Sequence, residues 1–217
     1  MEKAVGEFEG VLDGIKFGEI VMIEYSGYST PVRSLYYLTS WAEKRHYKVV
    51  IVDILDTLYL HYQHMRLNGM NVEKFKDIDV IKIGGRTVVG NVIGQLNITG
   101  STVGEKAFSR TYESAVKDGN VVMIVLGLEK LMMLFAESRR GILNIVNTML
   151  SHVGDERVKG FCFINRTLMK EVSPYIIPLV AELTTTVIEI ERASGTDVVR
   201  VAKALNPGIE MMEVKLA

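Results

Sequence analysis

Two carboxylates follow an apolar run that is typical of a buried strand. Asp53 and Asp56 come just after Val49–Val52, which is β-branched and too short for a helix. Paired carboxylates at a strand end can act as a general base, and they supply the oxygen ligands that Mg²⁺ prefers. The alternative is structural, because Asp is a favoured N-cap residue and stabilises the first turn of a helix. Capping alone accounts for both positions, so Asp53 and Asp56 are weak catalytic candidates and no metal site is predicted.

A second candidate is the loop between the first predicted strand, Ile20–Glu24, and the helix that follows. It contains four residues suited to binding an anion: Ser26, Gly27, Ser29 and Thr30. Ligands of an open parallel sheet bind beyond the carboxyl ends of its strands, and free N–H groups at a helix N-terminus attract negative charge. Thr30-Pro31 predicts that helix start, with Thr30 as the N-cap residue and Pro31 in the first helical position.

Gly84-Gly85-Arg86 ends a third predicted strand, Val80–Ile83. Its backbone N–H groups and the Arg86 guanidinium could hold an anion. It could equally form a tight turn whose glycines adopt positive φ, and both interpretations remain open.

His61 and His64 have a spacing that can share a metal ion on one helix. A zinc site usually needs three or four ligands, so we expect surface or edge histidines instead. Cys162, the single cysteine, lies in an apolar run and is expected to be a buried, unreactive thiol.

Short apolar runs alternate with amphipathic segments along the chain, which is the pattern of βαβ units. Five runs predict buried strands: Ile20–Glu24, Val49–Val52, Val80–Ile83, Val121–Leu126 and Gly160–Ile164. Right-handed crossovers then give a mostly parallel sheet with helices on both faces, a three-layer α/β sandwich. Val88–Ile98 predicts an extra strand or hairpin, Ser173-Pro174 a helix start, and residues 186–215 an antiparallel extension at one sheet edge. No linker or repeat interrupts the pattern, so residues 1–217 are predicted to form a single domain.

Composition excludes several classes of function. The 217 residues are 48% hydrophobic, which allows a substantial core and argues against disorder. A formal net charge of −1 lacks the basic excess of nucleic-acid binders, so no nucleic-acid partner is expected. The acidic first residues contain no apolar signal region, and no run approaches the ~18 to 20 apolar residues of a membrane span. With only one cysteine, the sequence fits a reducing interior, and a cytoplasmic location is expected.

Glu9–Glu24 resembles the segment that leads into the core of RecA and its archaeal KaiC-like relatives. More narrowly, Phe17–Ser26, Asp53–Leu58 and Ile81–Arg86 are similar to phrases of an uncharacterised family from Pyrococcus and Thermococcus. The resemblance spans nearly the whole chain and implies a RecA-like sheet and a hyperthermophilic archaeal source. It carries over no known activity.

The motifs of the P-loop ATPases are degenerate in this alignment. G-x-x-x-x-G-K-[ST] uses glycines to form an N–H cradle, a lysine for the β/γ-phosphates and a hydroxyl for Mg²⁺. Tyr25, Thr30, Pro31 and Val32 stand at those four places, and Leu126 stands where the second motif has an Asp. Asp56 roughly matches one of the paired glutamates with which KaiC-like proteins activate water.

The sequence therefore predicts a non-catalytic relative of these ATPases that acts as an assembly or regulatory module. Binding of ATP and Mg²⁺ and ATPase activity are not expected, whereas homo-oligomerisation is, because RecA-like cores bury one face against the next subunit. The alternative is a nucleotide- or anion-binding protein, or an enzyme, that uses the loop Ser26–Thr30 without a lysine.

Overall fold

A computed structural model describes residues 2–99, 102–172 and 175–216. Its strands are β1 (Ile20–Tyr25), β2 (Lys48–Ile54), β3 (Asp79–Ile83), β4 (Asn91–Leu96), β5 (Ile98–Thr99), β6 (Thr102–Val103), β7 (Val121–Leu126), β8 (Val158–Asn165), β9 (Thr186–Ala193), β10 (Thr196–Lys203) and β11 (Glu213–Leu216). Its helices are α1 (Glu2–Asp13), α2 (Val32–Lys44), α3 (Thr57–Leu67), α4 (Glu105–Val116), α5 (Leu128–Leu134), α6 (Arg139–Leu150), α7 (Arg166–Val172) and α8 (Ile176–Leu183), with a 3₁₀ turn at Glu73–Lys76.

Nine of these strands form one sheet in the order β11-β10-β9-β1-β8-β7-β2-β3-β4. All neighbouring strands from β9 to β4 pair in parallel, and β10 and β11 pair antiparallel at one edge. All five predicted strands are present, so the predicted three-layer α/β sandwich with an antiparallel C-terminal extension is confirmed.

The sheet separates two apolar cores because successive strand residues point to opposite faces. Val21 and Ile23 of β1 face a core that includes Phe8 of α1, Trp41 of α2 and Leu58 of α3. Met22 faces the other core, which includes side chains of α4, α5 and α8: Tyr112, Leu131 and Val180. Burial on both faces explains why the central strands are almost continuously hydrophobic.

Three local expectations need correction or refinement. Val88–Ile98 contributes β4, which runs parallel to β3 instead of forming a hairpin with it. Residues 84–90 supply the return; extended, they span roughly 23 Å, enough to pass back along β3. At the C-terminal end, β9 belongs to the parallel part of the sheet, and only β10 and β11 form the antiparallel extension.

The second helix begins one residue later than predicted. Its N-cap position is Pro31, and no side-chain hydrogen bond caps it. The hydroxyl of Thr30 is buried and has no hydrogen-bond partner among the described residues, so Thr30 is not the cap. Ser173-Pro174, the other predicted helix start, lies outside the described residues. None of the described helices is long and apolar enough to cross a bilayer.

Candidate functional site

The candidate residues meet at the carboxyl edge of the parallel sheet. The loop Ser26–Thr30 follows β1, Asp56 follows β2, and Gly84-Gly85-Arg86 follows β3. Parallel strands bring these loops to the same edge, where open α/β sheets bind their ligands.

A buried lysine links the two carboxylates. Asp53 and Lys82 stand opposite each other on β2 and β3, and each is 1% exposed. The Lys82 ammonium donates to Asp53 Oδ2 at 2.8 Å, to Asp56 Oδ1 at 2.8 Å and to the backbone carbonyl of Thr87 at 2.7 Å. An ammonium has three donors, and all three are used.

The remaining oxygens of the two carboxylates also have partners. Asp53 Oδ1 accepts from the backbone N–H of Leu58 at 2.8 Å, in the first turn of α3. Asp53 therefore binds a helix N-terminus, as the capping interpretation expected. Asp56 occupies the N-cap position with φ of 59° but makes no capping hydrogen bond.

Asp56 is instead held by the turn after β3. The N–H of Arg86 donates to Asp56 Oδ2 at 2.7 Å, and the N–H of Thr87 donates to Asp56 Oδ1 at 3.0 Å. Gly85 has φ of +79°, and a Cβ there would lie 2.3 Å from Asp56 Oδ1. The backbone N–H groups of this turn thus hold a carboxylate of the same chain, and the positive φ of Gly85 is that of the tight-turn interpretation.

Hydrogen bonds within this cluster, Asp53–Lys82–Asp56, favour the charged forms of Asp56 and Lys82. Burial alone would raise the pKa of Asp56, but hydrogen bonds from Lys82, Arg86 and Thr87 outweigh burial, and the pKa lies below its usual value. Burial would likewise lower the pKa of Lys82, but hydrogen bonds to Asp53 and Asp56 raise it overall. Asp53 and Asp56 therefore share a positively charged partner, the Lys82 ammonium.

The loop Ser26–Thr30 also satisfies much of its own backbone. The N–H of Ser26 donates to Ser29 Oγ at 3.1 Å, and the N–H of Ser29 donates to the carbonyl of Ser26 at 3.1 Å. The N–H of Gly27 donates to Thr167 Oγ1 of α7 at 2.9 Å. Three N–H groups that an anion would need are therefore already bonded within the chain.

The tyrosines near this loop differ in their environment. Tyr28 is 95% exposed and does not fill the loop. Tyr25 is buried at the end of β1, where its hydroxyl interacts with the carboxyl of Glu129 in α5. Burial raises the pKa of Glu129, and one of its oxygens has no hydrogen-bond partner among the described residues.

Sequence reasoning missed Lys82 and Glu129. The signal for Lys82 was a lysine inside an apolar strand, which needs a buried counter-charge. The signal for Glu129 was a carboxylate in the first turn of a short, mostly apolar helix, directly after β7.

The two histidines lie on α3, and His61 is buried at 4% exposure, contrary to the expectation of a surface position. Burial, with smaller contributions from His64 and Lys130, lowers the pKa of His61 to about 4. Neither ring nitrogen has a partner within the described ranges. No group of three or more His, Cys, Asp or Glu side chains that could hold a metal ion occurs among those residues. Cys162 is buried, and burial raises the pKa of its thiol.

Comparison with known proteins identifies the family of this chain. It belongs to the family described as Pyrococcus protein of unknown function, DUF257, whose model matches residues 10–215. The protein PH0250 from Pyrococcus horikoshii OT3 is 31% identical over 95% of this chain and 97% of its own, with a TM-score of 0.84. No curated protein gives a significant match.

Two more distant structures share the fold. The flagellar accessory protein FlaH from Methanocaldococcus jannaschii is 14% identical over 94% of this chain and 87% of its own, with a TM-score of 0.58. The uncharacterized protein PH0321 from Pyrococcus horikoshii, solved with an unknown peptide, is 14% identical over 98% of both chains, with a TM-score of 0.60. The FlaH-like neighbours are RecA-like, so the predicted family and the RecA-like fold are both confirmed.

Proposed function

We propose that this protein is a non-catalytic member of the RecA-like group that serves as an assembly or regulatory module. The observation that carries the proposal is that several backbone N–H groups at the carboxyl edge of the sheet are already bonded to groups of the chain itself. Fold alone does not define function, so the argument depends on these contacts.

Phosphate binding by a P-loop needs free backbone N–H groups and a lysine. In the loop after β1, the N–H groups of Ser26, Gly27 and Ser29 are bonded to groups of the chain. Pro31, which has no N–H, stands where the lysine would be. This combination favours a loop that folds on itself over one that encloses a phosphate.

Water activation needs a carboxylate that is free to accept a proton. Asp56, at the position that resembles a KaiC-like glutamate, accepts three hydrogen bonds, from Lys82, Arg86 and Thr87. These contacts lower its pKa, which makes it a weaker base. Asp56 therefore has a structural role in this proposal.

One observation supports the alternative, an anion-binding protein that uses the loop Ser26–Thr30. The hydroxyls of Thr30 and Ser34 are buried without partners among the described residues. Exposed Tyr28 also leaves the loop accessible from solvent. A rearranged loop that directed these hydroxyls to an anion would bind it without a lysine.

Thermal unfolding with Mg²⁺-ATP, Mg²⁺-ADP, inorganic phosphate and other phosphorylated metabolites at about millimolar concentration separates the two functions. A ligand present at 100 times its Kd stabilises by about 2.7 kcal/mol, which is a shift of several degrees. We expect no shift with any of them. A nucleotide-dependent shift that the Ser29→Ala and Thr30→Ala variants abolish, and that Gly6→Ala at an exposed position of α1 leaves unchanged, would establish the alternative.

The proposed assembly role predicts self-association through the carboxyl edge. Tyr28, at 95% exposure, places a large aromatic side chain on that edge, and aromatic side chains are common anchors of interfaces. Sedimentation velocity at micromolar concentration should show an oligomer that Tyr28→Ser weakens. Leu67→Ser, at an 80% exposed residue that ends α3, is the control and should have no effect. A monomer would count against the role in self-assembly.

A further inference from the structure

A cavity of about 150 Å³ lies between the sheet and helices α4, α5 and α6. Its floor is formed by residues of five strands, among them Val52 of β2, Val125 of β7 and Cys162 of β8. Its roof includes Phe108 of α4, Leu131 of α5 and Ile145 of α6. We infer that this cavity is a binding site for the chain of an uncharged, single-chain aliphatic molecule.

The walls of the cavity are mostly apolar. Glu19 is the one Asp, Glu, Lys or Arg among the described lining residues. Both oxygens of Glu19 are engaged, by the N–H of Lys16 at 2.8 Å and by the hydroxyl of Thr186 at 3.0 Å. An apolar cavity of about this size accepts small hydrocarbons.

The floor of the cavity is accessible to solvent. Val125 belongs to β7, a central strand of the sheet, and a side chain there is normally fully buried. It nevertheless remains partly exposed, the one residue of β7 that does. Solvent reaches the floor of the cavity, so an alkyl chain can enter without unfolding the sheet.

The cavity also has polar lining side chains. Asn144 and His152 line it, and their side chains make no hydrogen bonds to other described residues. His152 is stacked on Tyr112 with ring centroids 4.0 Å apart, which fixes its position. These groups can hydrogen-bond a hydroxyl or carbonyl, whereas no lining lysine or arginine is available to pair with a carboxylate or phosphate.

A series of n-alkanols from butanol to decanol tests the site by calorimetry and thermal unfolding. Affinity should rise about fourfold for each methylene added, until the chain fills the cavity. Decanoate should bind more weakly than decanol, because its charge would have no cationic partner. No binding by any alkanol would overturn the inference, and tighter binding of decanoate would overturn the assignment of an uncharged head.

Two filling variants locate the bound chain. Val125→Phe from the floor and Ile145→Phe from the roof should each weaken decanol at least tenfold. Val88→Phe, at a 62% exposed position, adds the same ring outside the cavity and should bind as the unmodified protein does. Unchanged affinity in both filling variants would place the alkanol elsewhere and overturn the inference.

Methionine methyl NMR on the unmodified protein gives a readout that does not depend on the variants folding. Met123 and Met149 line the cavity, and Met211 is 67% exposed outside it. Decanol should shift the methyl signals of Met123 and Met149 and leave Met211 in place. Shifts confined to exposed methionines would contradict the inference. Neither result depends on whether the carboxyl edge binds nucleotides.

Discussion

Replacing Lys82 with methionine should destabilise the protein far more than most single substitutions. Lys82 is 1% exposed, and its ammonium is the counter-charge of Asp53 and Asp56. Methionine keeps an apolar body in the strand but leaves two neighbouring carboxylates without a cation. Removing one partner of a buried ion pair typically costs about 3–5 kcal/mol. Asp53 keeps only the N–H of Leu58, so we expect a cost in that range at pH 7.

The neighbouring pair of Lys48 and Asp79 provides a matched control. It also joins β2 to β3, with Nζ 3.0 Å from Oδ2, but the lysine side chain is 42% exposed and the aspartate 21%. Solvent screens such a pair, so Lys48→Met should cost no more than about 1 kcal/mol. The difference in cost between the two substitutions measures the effect of burial, because the residue type, the partner type and the two strands are the same.

Unfolding in guanidinium chloride at pH 7 and at pH 4 measures the free energy of unfolding of both variants. The loss of unfolding free energy in Lys82→Met should be smaller at pH 4 than at pH 7, because protonation of the carboxylates removes their uncompensated negative charge. The double variant Asp53→Asn with Lys82→Met should recover much of it, since the introduced amide is neutral and its carbonyl oxygen can still accept from Leu58. A cost for Lys82→Met no larger than that for Lys48→Met would refute the assignment of the cluster as a structural charge network.

Three further substitutions have defined outcomes. His61→Leu should flatten the dependence of stability on pH, measured as Tm against pH. Native His61 has a pKa of about 4 and stays neutral at pH 5, whereas the ring in the unfolded chain protonates below about 6.5. The unmodified protein therefore loses up to about 2 kcal/mol of stability by pH 5, and the variant should not. Gly85→Ala should cost several kcal/mol by chemical denaturation because it combines positive φ with a clash against Asp56, whereas Gly69→Ala, with φ of +72° and open space, should cost about 1 kcal/mol. Glu129→Gln should gain stability relative to the unmodified protein as pH rises above about 4.5, because burial raises the pKa of Glu129 and ionisation of the native carboxyl is unfavourable; an unchanged pH profile would contradict its burial.

The strands were predictable because burial on both faces leaves a simple signature. β1, β2, β3, β7 and β8 are β-branched apolar runs, and a helix period does not fit them. The path of β4 was not predictable, because its parallel pairing depends on an extended return that packs against β3. Local pattern also failed at Thr30, where the loop folds on itself and the helix begins later.

The position of the candidate site was predictable, but the hydrogen-bond partners of its residues were not. Strand ends located Asp56 and Gly85, and an Asp followed by a helix justified the capping interpretation of Asp53. The pairing of Asp56 with the turn after β3 could not be predicted, because it joins residues about 30 positions apart through positive-φ backbone at both sites. Lys82 carried a detectable signal, since a buried lysine requires a partner, and Asp53 lies opposite it in register.

The central claim is that five backbone N–H groups at the carboxyl edge are already bonded within the chain. Amide NMR during titration with Mg²⁺-ATP tests it most directly, through the signals of Ser26, Gly27, Ser29, Arg86 and Thr87. We expect the signals of these five amides to stay unshifted up to millimolar nucleotide. Saturable shifts of Gly27 and Ser29 would contradict it, because they would show that the loop opens and binds the phosphates.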